Sequence, residues 1–241
     1  MGESNWTYLT SGLDAANTSR GVTAGVTPPS GGGTFLFGFN SRTTSAGVVG
    51  LAANQTNYGP LKNGAGNPTG GSIRMALQRG ASAGPTNFAP FMFIGLQNAV
   101  PFGTVNDPAY LLGLSDADPH EIILRKGAPA GGLLPTAAGV LRRSTAQFIP
   151  GTWVHLRLDM IVNPNGDTVL KIFRNNLSAH AVTAPTWEAV PGMADFIDDA
   201  LGINVNDGTS PYAGGFAGFG FETHDVSRRG FLDQVELFRQ V

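Results

Sequence analysis

The chain has 241 residues, of which 41% are hydrophobic and only 13% are charged, with a formal net charge of −2 and no cysteine. This length is sufficient for one large β-sandwich or two small domains with a buried core. The near-neutral charge excludes a broad electrostatic attraction to nucleic acid. The absence of cysteine excludes disulfides, a thiol nucleophile and cysteine-ligated zinc. The 34 glycines and 16 prolines favour short strands with many turns over long helices.

Residues 1–20 contain no apolar core of a signal peptide, and no apolar run approaches the length of a membrane span. We therefore expect a protein made in the cytoplasm, with neither a membrane nor a nucleic acid as its partner. The low charge is suited to close packing against other protein copies, although the same composition is also typical of all-β proteins with many turns.

Strand-like segments recur along the first half of the chain at roughly ten-residue spacing, which favours a sandwich or barrel over alternating α/β units. The predicted strands of this half cover residues 5–9, 22–26, 34–39, 48–51, 72–79, 91–96, 110–114 and 121–125. Loops rich in glycine and proline separate them. We predict an N-terminal arm or edge-strand segment over residues 1–33 and a single sandwich domain over residues 34–241.

The clearest predicted element is a β-hairpin between residues 152 and 174. Its first strand has an apolar set of alternate residues, Val154, Leu156, Leu158 and Met160. The other set points to the opposite side and consists of Trp153, His155, Arg157 and Asp159. A period of two with one apolar side predicts a strand that buries one face. The sequence Asn163-Pro-Asn-Gly166 provides the turn.

The distal part of the chain adds two more strands and one helical segment. Residues 191–201 are the only stretch with a helical pattern, and we predict one or two helical turns there. Residues 214–221 and 230–238 are predicted to close the fold as strands. The fold class that follows is all-β, an antiparallel jelly-roll β-sandwich with long Gly/Pro-rich loops and at most one or two short helices.

Three motifs lie in residues 148–240: Thr152-Trp153 at the start of the hairpin, Gly218-Phe219-Gly220 in the next to last strand, and Leu232-Asp233-Gln234-Val235 in the last. With these motifs the distal half resembles the concanavalin A-like, or laminin-G-like, jelly-roll superfamily. The resemblance implies the sandwich fold and does not imply one activity, because this fold hosts many functions. The composition also resembles that of tailed-bacteriophage virion proteins.

We predict that the protein is not an enzyme and has no catalytic residues. Glycosidases of this fold need two carboxylates about 5–9 Å apart, usually from a Glu-x-Asp-x-x-Glu strand, and the sequence contains no such triplet. Asp233 and Glu236 are expected on opposite faces of the last strand. The four histidines lack metal-like pair spacing, and no nucleophile elbow, P-loop or dinucleotide fingerprint is present.

Two groups of polar residues are candidates for binding. Asp116 and Asp118 are two positions apart in one loop, where their carboxylates would share a Ca²⁺ ion; the alternative is an ordinary turn, in which case the protein has no cofactor. His155, Arg157 and Asp159 lie on one face of a strand. They would line a sugar-binding groove or a protein interface, or else form a solvated strand face with cross-strand pairs.

A glycan site also needs aromatic rings on a concave face, and the candidates are Trp187, Tyr58 and Tyr212. The leading functional hypothesis is a non-enzymatic structural component of a bacteriophage virion, as a capsid decoration, neck, collar or tail protein. It would assemble as a homo-oligomer and with other virion proteins. The alternative is a carbohydrate-binding, lectin-like module such as a phage receptor-binding protein, and a weaker third hypothesis is a polysaccharide-cleaving enzyme.

Overall fold

The computed structural model describes residues 6–11, 18–23, 27, 29, 36–41, 47–53, 61–62, 65–80, 88–97, 109–115, 119–127, 140–176, 183–193, 195–199, 210–223 and 228–239. Within these ranges the regular structure is β-strand throughout, and no helix is long and apolar enough to cross a membrane. The strands are β1 (Trp6–Ser11), β2 (Thr18–Thr23), β3 (Leu36–Ser41), β4 (Gly47–Ala53), β5 (Gly71–Arg79), β6 (Phe88–Leu96), β7 (Tyr110–Ser115), β8 (Glu121–Lys126), β9 (Val140–Gln147), β10 (Trp153–Val162), β11 (Thr168–Asn175), β12 (Trp187–Ala189), β13 (Phe196–Asp198), β14 (Phe216–Thr223) and β15 (Arg228–Arg239).

The strands form two antiparallel sheets packed as a sandwich, which confirms the predicted fold class. One sheet has seven strands in the order β1-β4-β14-β6-β7-β8-β9. The other has eight strands in total, with the order β12-β11-β10-β5-β15-β3-β2 and β13 paired to β11. Strand order departs from chain order in both sheets, so the faces combine residues that are far apart in sequence.

The main core lies between the two sheets and consists of alternate residues from their strands. From the eight-stranded sheet it takes the apolar sets of β5 and β10, namely Ile73, Met75, Leu77, Val154, Leu156, Leu158 and Met160. All seven are at most 3% exposed. The predicted hairpin is confirmed, since β10 and β11 pair from Leu156↔Arg174 to Val162↔Thr168. In its turn, the Gly166 amide donates to the Asn163 carbonyl at 3.0 Å.

The seven-stranded sheet also buries apolar residues on its outward side. Phe91, Phe93, Leu111 and Ile123 alternate with the residues of the main core and form a second cluster with Phe216. The first four are at most 2% exposed. This side therefore does not present a polar surface at these positions.

The prediction of a helix over residues 191–201 is wrong, because Phe196–Asp198 is strand β13 and pairs with β11. Phe196 and Asp198 are both buried while Ile197 between them is 42% exposed. That period of two belongs to a strand. The alternation could not be recognised in the sequence, because Asp198 occupies a buried position and an aspartate is normally expected at the surface.

Asp233 and Glu236 lie on the same face of β15, which corrects the expectation of opposite faces. Asp233 pairs with Ala76 and Glu236 with Arg74, so two residues of β15 stand opposite one residue of β5. This β-bulge contains Gln234 at φ 53°. One inserted residue changes the parity of the strand and brings both carboxylates to the outer side.

Candidate functional site

The outer face of the eight-stranded sheet contains most of the polar residues of β5, β10 and β15. Pairing places Trp153 beside Gln78, His155 beside Ala76, Arg157 beside Arg74 and Asp159 beside Ser72. Directly paired residues of antiparallel strands point to the same side of the sheet. The outward residues predicted for β10 therefore belong to a larger face, to which β5, β11 and β15 also contribute.

One end of this outer face is covered. Trp153, Ala76 and Phe231 form a small buried cluster there. The Trp153 indole Nε1 donates to the carbonyl of Thr27 at 2.9 Å, so a residue near the N-terminus lies against this cluster. Among the described residues, the remainder of the outer face is partly exposed to solvent.

The open part is built around two arginines, and we call it the arginine face. Its members are half-buried or exposed and come from β5, β10, β11 and β15. They are Arg74, Arg157, Asp159, Phe173, Glu236 and Phe238.

Arg157 is held by a carboxylate and an aromatic ring. Its Nε donates to Asp159 Oδ1 at 2.7 Å and its Nη2 donates to Asp159 Oδ2 at 2.5 Å. Its guanidinium carbon lies 5.2 Å from the centre of the Phe173 ring. Ser72 Oγ donates to the same Asp159 carboxylate, so Asp159 is itself fixed. A bidentate pair over a ring restrains a long side chain that would otherwise be mobile.

Arg74 repeats this arrangement one strand away. Its Nε donates to Glu236 Oε2 at 2.9 Å, and its Nη2 contacts the same oxygen. Its guanidinium carbon lies 4.9 Å from the centre of the Phe238 ring, which is 46% exposed. Two like charges on directly paired residues repel each other. Each of these arginines is paired with a carboxylate, so the net charge of the four groups is close to zero.

Unused hydrogen-bonding atoms remain on the arginine face. Among the described residues, Nη1 of Arg74, Nη1 of Arg157 and Oε1 of Glu236 form no hydrogen bond with the protein. The side chains of the two arginines are 24% and 34% exposed, and that of Glu236 is 37% exposed. The face thus presents fixed donors and one acceptor beside exposed aromatic carbon.

Trp187 and His155 are in contact with each other at the margin of this face. Their ring centres are 4.7 Å apart in an edge-on arrangement. Asn175 Oδ1 accepts a hydrogen bond from the Thr186 amide at 3.1 Å. The Asn175 Nδ2 therefore faces His155 Nδ1, at 3.4 Å. His155 is only 1% exposed, so its ring packs against the half-buried Trp187 and contributes little to the open surface.

Tyr212 lies inside the sandwich, 6% exposed, and so its ring is not on the surface. Its hydroxyl donates to the Gly127 carbonyl at 2.5 Å, and its amide donates to the Tyr110 hydroxyl at 2.9 Å. Tyr110 donates in turn to Asp198 Oδ2 at 2.5 Å. Burial, reinforced by the charge of Asp198 and its hydrogen bond, raises the pKa of the Tyr110 hydroxyl well above its ordinary value.

The remaining predicted site residues, Tyr58, Asp116 and Asp118, lie outside the described residues. The Ca²⁺ site proposed for the two aspartates therefore stays a prediction. Within the described ranges, no three histidine or carboxylate side chains are grouped so that they could hold a metal ion.

Four members of the arginine face were not predicted as site residues: Arg74, Glu236, Phe173 and Phe238. The alternation of residues 72–79 placed Arg74 on a polar side. No sequence signal showed that β5 lies between β10 and β15. The bulge at Gln234 was equally invisible, and without it Glu236 could not be assigned to this face.

No protein-family model matches the chain, and no curated protein matches it. Solved structures do match over nearly its full length. The carbohydrate recognition domain of Emp46p in its metal-free form is 13% identical with a TM-score of 0.53, covering 99% of this chain and 90% of that chain. The exoplasmic/lumenal domain of VIP36, in a form bound to Ca²⁺ and Man3GlcNAc, is 12% identical with a TM-score of 0.53, covering 100% and 86%.

A legume lectin-like domain from Entamoeba histolytica is 8% identical with a TM-score of 0.50, covering 99% of this chain and 91% of that chain. The fold is a legume-lectin-like jelly roll. At these identities the likeness establishes the fold alone. A legume-lectin-like fold agrees with the concanavalin A-like resemblance seen in the sequence. None of the three matched structures is named as a virion protein, so assembly into a phage particle stays an untested prediction.

Proposed function

We propose that this protein is a carbohydrate-binding, lectin-like module that contacts its glycan through the arginine face. The observation that supports this best is the pair of neighbouring arginines, each fixed by a carboxylate and an aromatic ring. A sugar ring presents hydroxyl groups around its rim and C–H groups on its faces. Recognition therefore needs fixed polar atoms next to aromatic carbon, which is the combination found at Arg74 and Arg157.

The ordering of the two guanidinium groups also favours binding. Side chains that are already restrained lose less conformational entropy when a ligand arrives. Arg157 is restrained by Asp159 and Phe173, and Arg74 by Glu236 and Phe238. Because each arginine charge is balanced locally, we propose that neutral sugars are accepted.

The size of the face favours an oligosaccharide over a single sugar. Trp187 on β12 and Phe238 on β15 are separated by four strand spacings in the sheet order, or about 19 Å at 4.8 Å per spacing. The fold provides a further argument by analogy, since the matched domains of Emp46p and VIP36 are described as carbohydrate-recognition or glycan-bound structures. That analogy alone would not be enough, because one fold hosts many functions.

The test is a glycan array with the purified full chain, followed by titration of the best ligand. We expect saturable binding by the wild-type protein. Arg157→Ala and Arg74→Ala should each weaken it at least about tenfold, corresponding to ~1.4 kcal/mol. Arg143→Ala is the matched control, because Arg143 is also paired with a carboxylate, Glu121, but lies on β9 of the other sheet.

Two results would overturn the proposal. One is the absence of binding across a broad array by a protein whose circular dichroism shows a folded β structure. The other is an equal loss of binding in Arg143→Ala and Arg157→Ala, which would move the site away from the arginine face. Trp187→Ala reports on the margin of the face. We expect it to weaken binding of long glycans more than that of short ones.

A further inference from the structure

A buried lysine and a buried aspartate meet between the two sheets, away from the arginine face. Lys126 is the last residue of β8 in the seven-stranded sheet, and Asp198 is the last residue of β13, which pairs with the eight-stranded sheet. Lys126 Nζ lies 2.8 Å from Asp198 Oδ2, and the two side chains are 1% and 0% exposed. We propose that these side chains condense to an intramolecular isopeptide bond that links the two sheets covalently.

Burial provides the thermodynamic argument for this reaction. Two ions that are removed from water lose the free energy of their hydration. Their mutual attraction offsets this loss only when the geometry is good and further hydrogen bonds are present. Asp198 Oδ1 is buried and has no hydrogen-bond partner among the described residues. Conversion to an amide replaces both charges by one neutral group. The water formed is released, and the lack of solvent at the site protects the product from hydrolysis.

The surroundings hold the two reacting groups in position. Lys126 Nζ also donates to the Ser210 carbonyl at 3.3 Å and lies 4.8 Å from the centre of the Tyr212 ring. Asp198 Oδ2 accepts the Tyr110 hydroxyl at 2.5 Å. Because Oδ2 is bonded to Cγ, the contact between Nζ and Oδ2 brings the amine within about one bond length of the about 3–3.5 Å separation from Cγ that a near-attack geometry needs.

The step balances without any co-reactant. A proton first passes from the Nζ ammonium to Asp198 Oδ2, which leaves a neutral amine next to a carboxylic acid. The Nζ lone pair then attacks Cγ, and the bond from Cγ to Oδ2 breaks. Of the three protons of the ammonium, one stays on the amide nitrogen and two leave with Oδ2 as water. Oδ1 becomes the carbonyl oxygen of the new amide.

Tyr110 is the positioning residue for this step. Its hydroxyl donates to the oxygen that departs, which draws electron density away from Cγ and favours attack. Because burial raises the pKa of this hydroxyl, Tyr110 keeps its proton and remains a donor. Tyr110→Phe removes the donor with little change of shape, so it should slow formation of the bond without removing either reacting group.

The test is the intact mass of the full chain under denaturing conditions, followed by peptide mapping after trypsin. We expect a mass lower than the sequence mass by one water, no cleavage after Lys126, and a branched peptide that joins Lys126 to Asp198. An aspartimide at Asp207-Gly208 would lose the same mass, so the branched peptide is the deciding observation. Lys126→Arg keeps the positive charge but has no primary amine, and it should have the full sequence mass.

The proposal is overturned if the wild-type chain has its full sequence mass and trypsin cleaves after Lys126. It is equally overturned if a water is missing but no branched peptide joins Lys126 to Asp198. Both measurements are made on the denatured chain, and the wild-type result alone can overturn the proposal, so no variant has to fold. They are also independent of glycan binding, since neither Lys126 nor Asp198 belongs to the arginine face.

Discussion

Gly215→Ala should destabilise the protein more than the same substitution at Gly66. Both glycines have positive φ, +75° at Gly215 and +85° at Gly66, a conformation that L-residues rarely adopt. Their surroundings differ completely. A Cβ at Gly66 would meet no atom within 4 Å, whereas a Cβ at Gly215 would lie 2.4 Å from the Leu96 carbonyl oxygen and 2.9 Å from the Gly95 carbonyl carbon.

The magnitudes follow from these two terms. The left-handed conformation costs a residue with a Cβ about 1–2 kcal/mol, and both variants incur this cost. At Gly215 the neighbouring atoms belong to the backbone at the end of β6, which cannot move aside as a side chain would. Forcing an extra carbon into a packed site costs a further ~1–3 kcal/mol. We therefore expect a loss of about 1–2 kcal/mol for Gly66→Ala and about 2–5 kcal/mol for Gly215→Ala.

The assay is equilibrium unfolding in urea, with the free energy of unfolding extrapolated to water and the slopes compared between variants. Equal losses at the two glycines would refute the reasoning, because they would mean that the close approach of Gly215 to β6 does not exist in solution. A larger loss at Gly66 would refute it as well.

Three other predictions concern the core and its polar contacts. Leu156→Ala, at a fully buried position, should lower the free energy of unfolding by about 2–5 kcal/mol. The control is Ile149→Ala, at a residue 71% exposed, which should change it by less than about 0.5 kcal/mol. Similar changes in the free energy of unfolding for the two variants would argue against the assigned core. Trp153→Phe removes the hydrogen bond to Thr27 and should cost about 1 kcal/mol, measured by urea unfolding, and an unchanged stability would contradict that contact. The raised pKa of Tyr110 means that the folded chain keeps a proton which the unfolded chain releases above about pH 10. Stability should therefore fall with rising pH in that range, and less steeply in Tyr110→Phe; parallel pH profiles of the two proteins would refute this.

The strands that alternate cleanly were predictable from sequence. Periods of two in residues 72–79 and 152–162 predicted β5 and β10, because apolar residues occupy the inward positions of β10 and the inward positions Ile73, Met75 and Leu77 of β5. Strands β9, β12 and β13 were not predicted. In β9 the consecutive residues Arg142 and Arg143 are both exposed, which interrupts the alternation, and β12 and β13 have three residues each. Neither pattern nor length therefore distinguishes these strands from loops.

The candidate site could be predicted only in part. Arg157 and Asp159 were identified because they stand on the polar side of a strong strand. Their exposure differs from that of His155 on the same side, which is buried under Trp187. A period of two in the sequence assigns residues to one face of a sheet. It does not show which end of that face is covered by another segment, because this depends on contacts between distant parts of the chain.

By itself, the sequence determined the fold class and the most regular hairpin of this protein, because hydrophobic alternation and turn residues act over a few positions. The tertiary structure alone decided that Arg74 lies beside Arg157, that a bulge at Gln234 turns Glu236 toward them, and that Lys126 meets Asp198 between the sheets. These three arrangements depend on strand order and register. Both are set by the packing of the whole sandwich and leave no local trace in the amino-acid sequence.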